Sequence, residues 1–267
     1  MKIFDQHLHS NFSFDSQAKM LDECQSAVDK GLAGINFTEH FSVDELDVSY
    51  GFLNYNKYSA EIENCRQNFA GKLIIGQGLE IGEPHLTKCA SQLKTELSQM
   101  KLDMVIGSVH NIGSKKLRLY MDGKTKDELY GNYFHEVLLM ADIADIDVLG
   151  HMDLAKRYAY DKLGNYDFSL YRDQIAAILK TIIARGIALE INTSGYRNSV
   201  NEPYPSLAVL KLYKSLGGRL ITIGSDAHTA KDIACDFDRA RNLLLSAGFN
   251  SYQHYTSRHG KTIALSR

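Results

Sequence analysis

Six histidines and three carboxylates stand at or just past the ends of short apolar runs: Asp5-Gln-His7-Leu-His9 with Asp15, Thr38-Glu-His40, Glu80, Ser108-Val-His110, Leu149-Gly-His151 and Ser225-Asp226-Ala-His228. Imidazole nitrogen with carboxylate oxygen is a donor set that divalent transition metals take, so the pattern points to a metalloenzyme. In a strand the side chains alternate between faces, which puts His7 and His9 on one side and Gln6 and Leu8 on the other. Two imidazoles then grip one ion. A lone histidine is more often a hydrogen-bonded core or surface residue, and even a His-x-His pair arises by accident. The recurrence carries the inference, because six imidazoles end strands on five separate elements while His85, His135, His254 and His259 fall in helical or tail segments.

Such ligands meet only if the elements bring their ends together. Apolar stretches that read as strands run from Ile3 to His9, Gly34 to Thr38, Leu73 to Glu80, Met104 to His110, Asp147 to His151, Ile187 to Asn192 and Leu220 to Gly224. Amphipathic stretches that read as helices run from Ala18 to Lys30, Lys57 to Phe69, Thr87 to Met100, Lys126 to Ala144, Leu170 to Ala184, Leu207 to Ser215 and Ala230 to Ala247. Regular alternation of the two argues for a parallel α/β sheet. An open doubly wound sheet would leave some of these strands far apart. Closure into a seven-stranded (β/α)7 TIM-like barrel brings every ligand to the C-terminal ends of the strands, where barrel enzymes build their sites. One barrel domain over residues 1–267 is the expectation.

Two loops matter: Asn111 to Thr125, carrying Lys115, Lys116 and Arg118, and Lys156 to Asp167, carrying Arg157, Tyr158 and Tyr160. The stretch from Ser251 to Arg267 reads as a terminal hairpin turning at Arg-His-Gly-Lys. Pro203 and Pro205 punctuate a helix start, and Gly217-Gly218 a helix stop. Cys24, Cys65, Cys89 and Cys235 are widely spaced on helical segments, which suits reduced packing residues and no disulfide framework. With 30 basic and 32 acidic residues, net charge −2, the chain offers no broad basic surface for nucleic acid. No apolar run reaches membrane-spanning length, and the first residues enter the strand Lys2-Ile3-Phe4-Asp5 without a secretory apolar region, so a cytoplasmic protein is expected.

In order along the chain, Asp5-Gln-His7-Leu-His9-Ser with Asp15, Thr38-Glu-His40, Gly78-Leu-Glu80, Gly107-Ser-Val-His110, Gly150-His151-Met-Asp153 and Gly224-Ser-Asp226-Ala-His228 resemble the polymerase-and-histidinol-phosphatase (PHP) superfamily. Gly150-His-Met-Asp-Leu-Ala-Lys-Arg157-Tyr and Glu190-Ile-Asn-Thr-Ser-Gly-Tyr-Arg197 look like its histidinol-phosphatase branch. The resemblance implies a distorted seven-stranded barrel holding three divalent ions. One would take His7, His9, Glu80 and Asp226; a second would share Glu80 and add His110 and His151; a third would take Asp15, His40 and His228. Asp15 stands where that third site often has histidine. Zinc, iron and manganese all suit this mixed shell.

Three divalent ions bring about six positive charges, and three carboxylates with one hydroxide leave roughly +2, which a phosphate monoester dianion balances. A metal cluster also lowers the pKa of water toward neutrality, so no nucleophilic serine or cysteine is needed. A planar guanidinium offers two parallel hydrogen bonds to phosphate, and Arg157 and Arg197 both follow strand ends; a solvated surface role is the alternative for each. The expected catalytic set is Asp226, His228, Arg157 and Arg197, and the expected substrate-binding set Arg157, Arg197, Tyr158 and Ser108. Asp5, Glu39, Ser108 and Asp153 are candidates to protonate the leaving group, with metal-bound water as the alternative, and Asp5 and Asp153 could instead orient imidazoles. Tyr158, Tyr160 and Tyr196 are candidates to flank a substrate ring.

The function implied is hydrolysis of L-histidinol phosphate to L-histidinol and phosphate in histidine biosynthesis, a phosphoric monoester hydrolase reaction on a small-molecule partner. The same cluster would serve a phosphotyrosine, nucleotide or DNA-end phosphatase, although strong DNA binding wants a basic track. An amidohydrolase-like barrel also opens with His-x-His but typically holds two metals or fewer, and a degenerate barrel would have lost ligands that are all present here.

Overall fold

The computed structural model describes residues 3–265. The chain begins with β1 (Phe4–Leu8), α1 (Met20–Asp29), β2 (Gly34–Phe41), α2 (Tyr55–Asn68), β3 (Ile74–Gly82), α3 (Ala90–Ser98) and β4 (Met104–Ser108). A small excursion follows, with β5 (Asn111–Ile112), β6 (Lys115–Lys116) and the single turn α4 (Leu117–Tyr120). Then come α5 (Lys126–Ile143), β7 (Val148–Leu149), α6 (Ala155–Leu163), α7 (Phe168–Arg185), β8 (Ala188–Asn192), α8 (Leu207–Ser215), β9 (Ile221–Gly224), α9 (Phe237–Ser246), β10 (Ser251–Thr256) and β11 (His259–Ala264).

Seven strands pair in parallel in the order β1-β2-β3-β4-β7-β8-β9. The seam between first and last is closed by backbone bonds from His9 N to Ala227 O, 2.8 Å, and from Asp226 N to His7 O, 2.7 Å. Asp5 seals the same seam with its side chain, accepting from Ser225 N at 2.9 Å and from Ala234 N at 2.9 Å. The result is the expected seven-stranded TIM-like barrel, and the antiparallel β10–β11 hairpin lies across its lower end, where Phe4 stacks on His254 at 4.1 Å. Buried helix residues follow the required spacing, as with Met20, Glu23, Cys24 and Ala27 on α1. No helix among the described residues is long and apolar enough to cross a membrane, and the four cysteines are free.

Several expectations need correction. The register of β1 slips by one residue between Asp5 and Leu8, so strict alternation fails. Gln6 drops toward the hairpin, bonding Asn36 at 3.1 Å and Tyr255 N at 3.0 Å, while His7 and His9 stay together. A bulge of this kind re-aims side chains beside a site. The loop expected from Lys156 to Asp167 is largely α6. Its buried face is Ala155, Lys156 and Ala159, and a lysine on the inner face hides the helical pattern. That lysine is held by Asp153 at 3.0 Å, Glu202 at 2.9 Å and the Pro203 carbonyl at 2.9 Å.

The helix expected from Ala230 to Ala247 begins only at Phe237, after a short 3-10 turn over Ala230–Asp232. Ala234 and Asp236 have positive φ, and Ala234 N and Cys235 O are engaged by Asp5 and Thr193, so they cannot continue a helical ladder. The Asn111 to Thr125 loop contains the β5–β6 ribbon and α4. His85 sits in a loop rather than a helix and bonds Glu136 at 2.8 Å. The hairpin turns at Ser257-Arg258, both with positive φ, one step before the expected Arg-His-Gly-Lys. Lys2, Ser266 and Arg267 lie outside the described residues.

Candidate metal centre and active site

All nine candidate ligands converge at the C-terminal mouth of the barrel. His7 Nε2 and His9 Nε2 are 3.1 Å apart, each is 3.4 Å from Glu80 Oε2, and they lie 3.9 and 3.6 Å from Asp226 Oδ1. Donors about 2.0–2.2 Å from a tetrahedral ion stand roughly 3.3–3.6 Å from one another, so these spacings fit one ion. The other oxygen of Glu80 faces His151 Nε2 at 2.8 Å and His110 Nε2 at 3.4 Å, and those two nitrogens are 3.4 Å apart. Asp15 Oδ2 is 3.3 Å from both His40 Nε2 and His228 Nε2, while His40 Nδ1 turns to Glu80 at 3.0 Å. His9, His40 and His228 also present donors within 4.8 Å of one another, so the third group adjoins the first.

Hydrogen bonds behind the imidazoles fix which nitrogen faces inward. His7 Nδ1 donates to Glu190 Oε1 at 2.6 Å, and His9 Nδ1 donates to Ser13 Oγ at 3.2 Å, whose own proton goes to Glu39 Oε2 at 2.5 Å. Both Nε2 atoms are therefore turned inward and face each other across 3.1 Å. Nitrogens that close need a proton or a cation between them, and an ion shared by the two rings meets that need. Room for the His7–Glu190 pair comes from Gly224, where a Cβ would come within 2.4 Å of both Glu190 Oε1 and His7 Cβ.

Electrostatics agree. Burial opposes a charged His40, but Glu80 and Asp15 outweigh it and push its pKa up to about 10. Burial likewise opposes charge on His7, yet Glu190 and Glu80 raise it. His9 is driven down by burial and by the neighbouring His40 and His228. Despite burial, Glu80 is held well below the usual range by His7, His110 and His40, and Asp226 by His7, Arg157 and His228. Without metal the site stores protons, and ions entering it must release them.

Glu190 enters the sequence reading only as the start of a branch motif, with no role given to it at the site. It also accepts from the His151 backbone N–H at 2.7 Å, tying two ligand-bearing strands together. The available signal was the alternation of Glu190 and Asn192 on β8, the strand that supplies no candidate ligand. Carboxylates bonded to ligand imidazoles typically govern metal affinity by 10–100-fold. Glu190→Gln is accordingly expected to weaken zinc retention by roughly 10–100-fold in competition with a chromogenic chelator while the circular dichroism is unchanged. Unchanged retention would reduce Glu190 to a packing role.

The cluster opens into a cavity of about 270 Å³. Arg157 and Tyr158 line it, on α6 rather than on a loop. Arg157 Nη2 bonds Ser194 Oγ at 2.5 Å and Asp226 Oδ2 at 3.4 Å. Arg197 does not line the cavity: its Nη2 bonds the carbonyls of Ser225 at 2.7 Å and Asp226 at 3.2 Å, so it braces the backbone that carries Asp226. Ser108 is buried and gives its proton to Glu80 at 2.5 Å, which positions that carboxylate instead of touching a substrate. Tyr160 and Tyr196 lie off the cavity, Tyr196 beneath the Arg239 guanidinium at 3.7 Å.

Asp5 and Asp153 orient no imidazole. Asp5 seals the barrel seam, and Asp153 is taken by Tyr166 and Lys156. With Glu39 committed to Ser10 and Ser13, all four candidates for leaving-group protonation are buried, and none of them lines the cavity. Lys116 and Arg118, from the Asn111 to Thr125 loop, also line the cavity, because the β5–β6 ribbon folds over its mouth.

Fold and site together define the class: a (β/α)7 barrel with a cluster of histidines and carboxylates that could hold metal ions at the ends of its strands. The chain belongs to the PHP domain family, whose model matches residues 5–194. It is 32% identical over 257 residues to a histidinol-phosphatase of Lactococcus lactis subsp. lactis, spanning 94% of this chain and 93% of that one. A Saccharomyces cerevisiae histidinol-phosphatase is 24% identical, spanning 90% and 88%. The crystal structure of the Lactococcus lactis histidinol phosphate phosphatase complexed with zinc, L-histidinol and phosphate superposes with a TM-score of 0.90 at 30% identity, covering 97% of this chain and 99% of that one.

Proposed function

We propose that this chain is a metal-dependent phosphomonoesterase that hydrolyses L-histidinol phosphate to L-histidinol and inorganic phosphate, a biosynthetic step placed in the cytoplasm. The observation that carries the reading is the convergence of nine candidate metal ligands at the barrel mouth, seven of them lining one small cavity with Arg157, in a chain similar over nearly its whole length to an enzyme crystallised with zinc, L-histidinol and phosphate.

His7, His9, Glu80 and Asp226 would hold one divalent ion, Glu80 with His110 and His151 a second, and Asp15, His40 and His228 a third; zinc, manganese and iron all suit these donors. When bound, such ions act as Lewis acids toward phosphoryl oxygens and bring the pKa of water toward neutrality. The protein's own contribution is placement. Glu190 and Ser13 hold the His7 and His9 rings in one tautomer, and Ser108 holds Glu80. Arg157, tethered at Nη2 to Ser194 and Asp226, sets a guanidinium beside the cluster for the phosphoryl group. Asp226 is in contact with that guanidinium, and His228 and Tyr158 line the same cavity.

A phosphate-release assay tests the reading, with L-histidinol phosphate set against phosphotyrosine and nucleoside monophosphates. Preference for histidinol phosphate by orders of magnitude in kcat/KM is the expected result. Equal rates across the panel would remove the substrate and leave the chemistry.

A further inference from the structure

The cavity is lined by two kinds of group: most of the candidate metal cluster with Arg157, and residues of the loop after β2 and of the β5–β6 ribbon. Among the described residues that line it, Asp47 is the one carboxylate outside the candidate ligand set. We propose that Asp47 receives the substrate's ammonium group, which makes this site select phosphate esters of amino alcohols over phosphomonoesters that carry no cation. The proposal rests on the phosphomonoesterase reading above and goes further by assigning the recognition of the amine.

Asp47 is held for such a task. Its Oδ1 accepts from the Ser49 backbone N–H at 2.8 Å and from Ser49 Oγ at 2.6 Å, in a local turn that fixes the carboxylate. Its Oδ2 has only Asn111 Nδ2, at 3.3 Å. That same Nδ2 makes a shorter bond to Glu83 Oε2, 2.7 Å, and Glu83 Oε1 also takes the Asn111 backbone N–H at 2.7 Å. Asn111 is therefore bound chiefly to Glu83, and Oδ2 of Asp47 keeps most of its accepting capacity. Glu83 itself is buried and fully engaged, so it does not compete for a ligand.

Charge makes the assignment specific. Lys116 and Arg118 line the same cavity, and they draw in a dianionic phosphate while repelling a free amine. A substrate bearing both charges is accommodated only when its cation is placed at Asp47. A primary ammonium has three donors to offer an acceptor-only group, and a charge-assisted bond in a partly enclosed cavity is worth one to two orders of magnitude in affinity.

The test compares L-histidinol phosphate with the same ester in which hydrogen replaces the amine. Wild type is expected to favour the amine-bearing ester by roughly 10–100-fold in kcat/KM, and Asp47→Asn to collapse that ratio toward one, chiefly through KM. Asp47→Ala should do the same. If either variant keeps the wild-type ratio, or loses both esters in equal proportion, Asp47 does not read the amine. Failure of wild type to hydrolyse either ester is a separate outcome that overturns the functional reading itself.

Discussion

Replacing Glu80 by glutamine is expected to lower turnover by on the order of 10³-fold or more and to strip metal from the purified protein. No other side chain touches so much of the cluster. One carboxylate oxygen faces His7, His9 and His40, and the other faces His110 and His151. Glutamine keeps the shape but removes the negative charge that lets two cations share one side chain, and it presents an N–H₂ where a lone pair is required. Elemental analysis after gel filtration, read beside phosphate release, checks both halves. A chelator applied to wild type should reproduce the loss, and added zinc or manganese should reverse it there but not in Glu80→Gln. Full activity in metal-stripped wild type would end the metal-dependent account.

Most of the candidate ligands were legible in the sequence because they stand at or just past the end of a strand, and a closed parallel sheet leaves strand ends only one place to meet. What supports them was less visible. Glu190 lies mid-strand among apolar residues, with no histidine beside it in sequence; its partner His7 is on β1, across the seam that only closure creates. Arg157 was legible as a residue type but not as a helical one, since the inner face of α6 carries Lys156, whose charge is neutralised by Asp153 one turn earlier and by the distant Glu202. Arg197 shows the opposite error. Its position after β8 suggested a reach into the mouth, yet its Nη2 is taken by the carbonyls of Ser225 and Asp226 and the side chain does not line the cavity. Position along the chain marks which residues arrive at the mouth, and hydrogen-bond partners decide which of them remain free to act.

That distinction sets the second large effect, at Arg157. Arg157→Ala is expected to lower kcat/KM by roughly 10²–10³-fold, the range for removing a preorganised donor from developing charge. Metal content should stay near that of wild type, because Arg157 meets the cluster only through Asp226 Oδ2 at 3.4 Å. Arg157→Lys is expected to recover little of the loss: an ammonium cannot bond Ser194 and Asp226 and still offer a planar pair of donors to phosphate. Inorganic phosphate should also inhibit both variants more weakly than wild type, a readout that a purely structural arginine would leave alone. Should Arg157→Ala lose metal in proportion to activity, the residue's task is to hold Asp226 and the anion must be gripped elsewhere; Lys116 and Arg118, on the same cavity wall, would then be the groups to test.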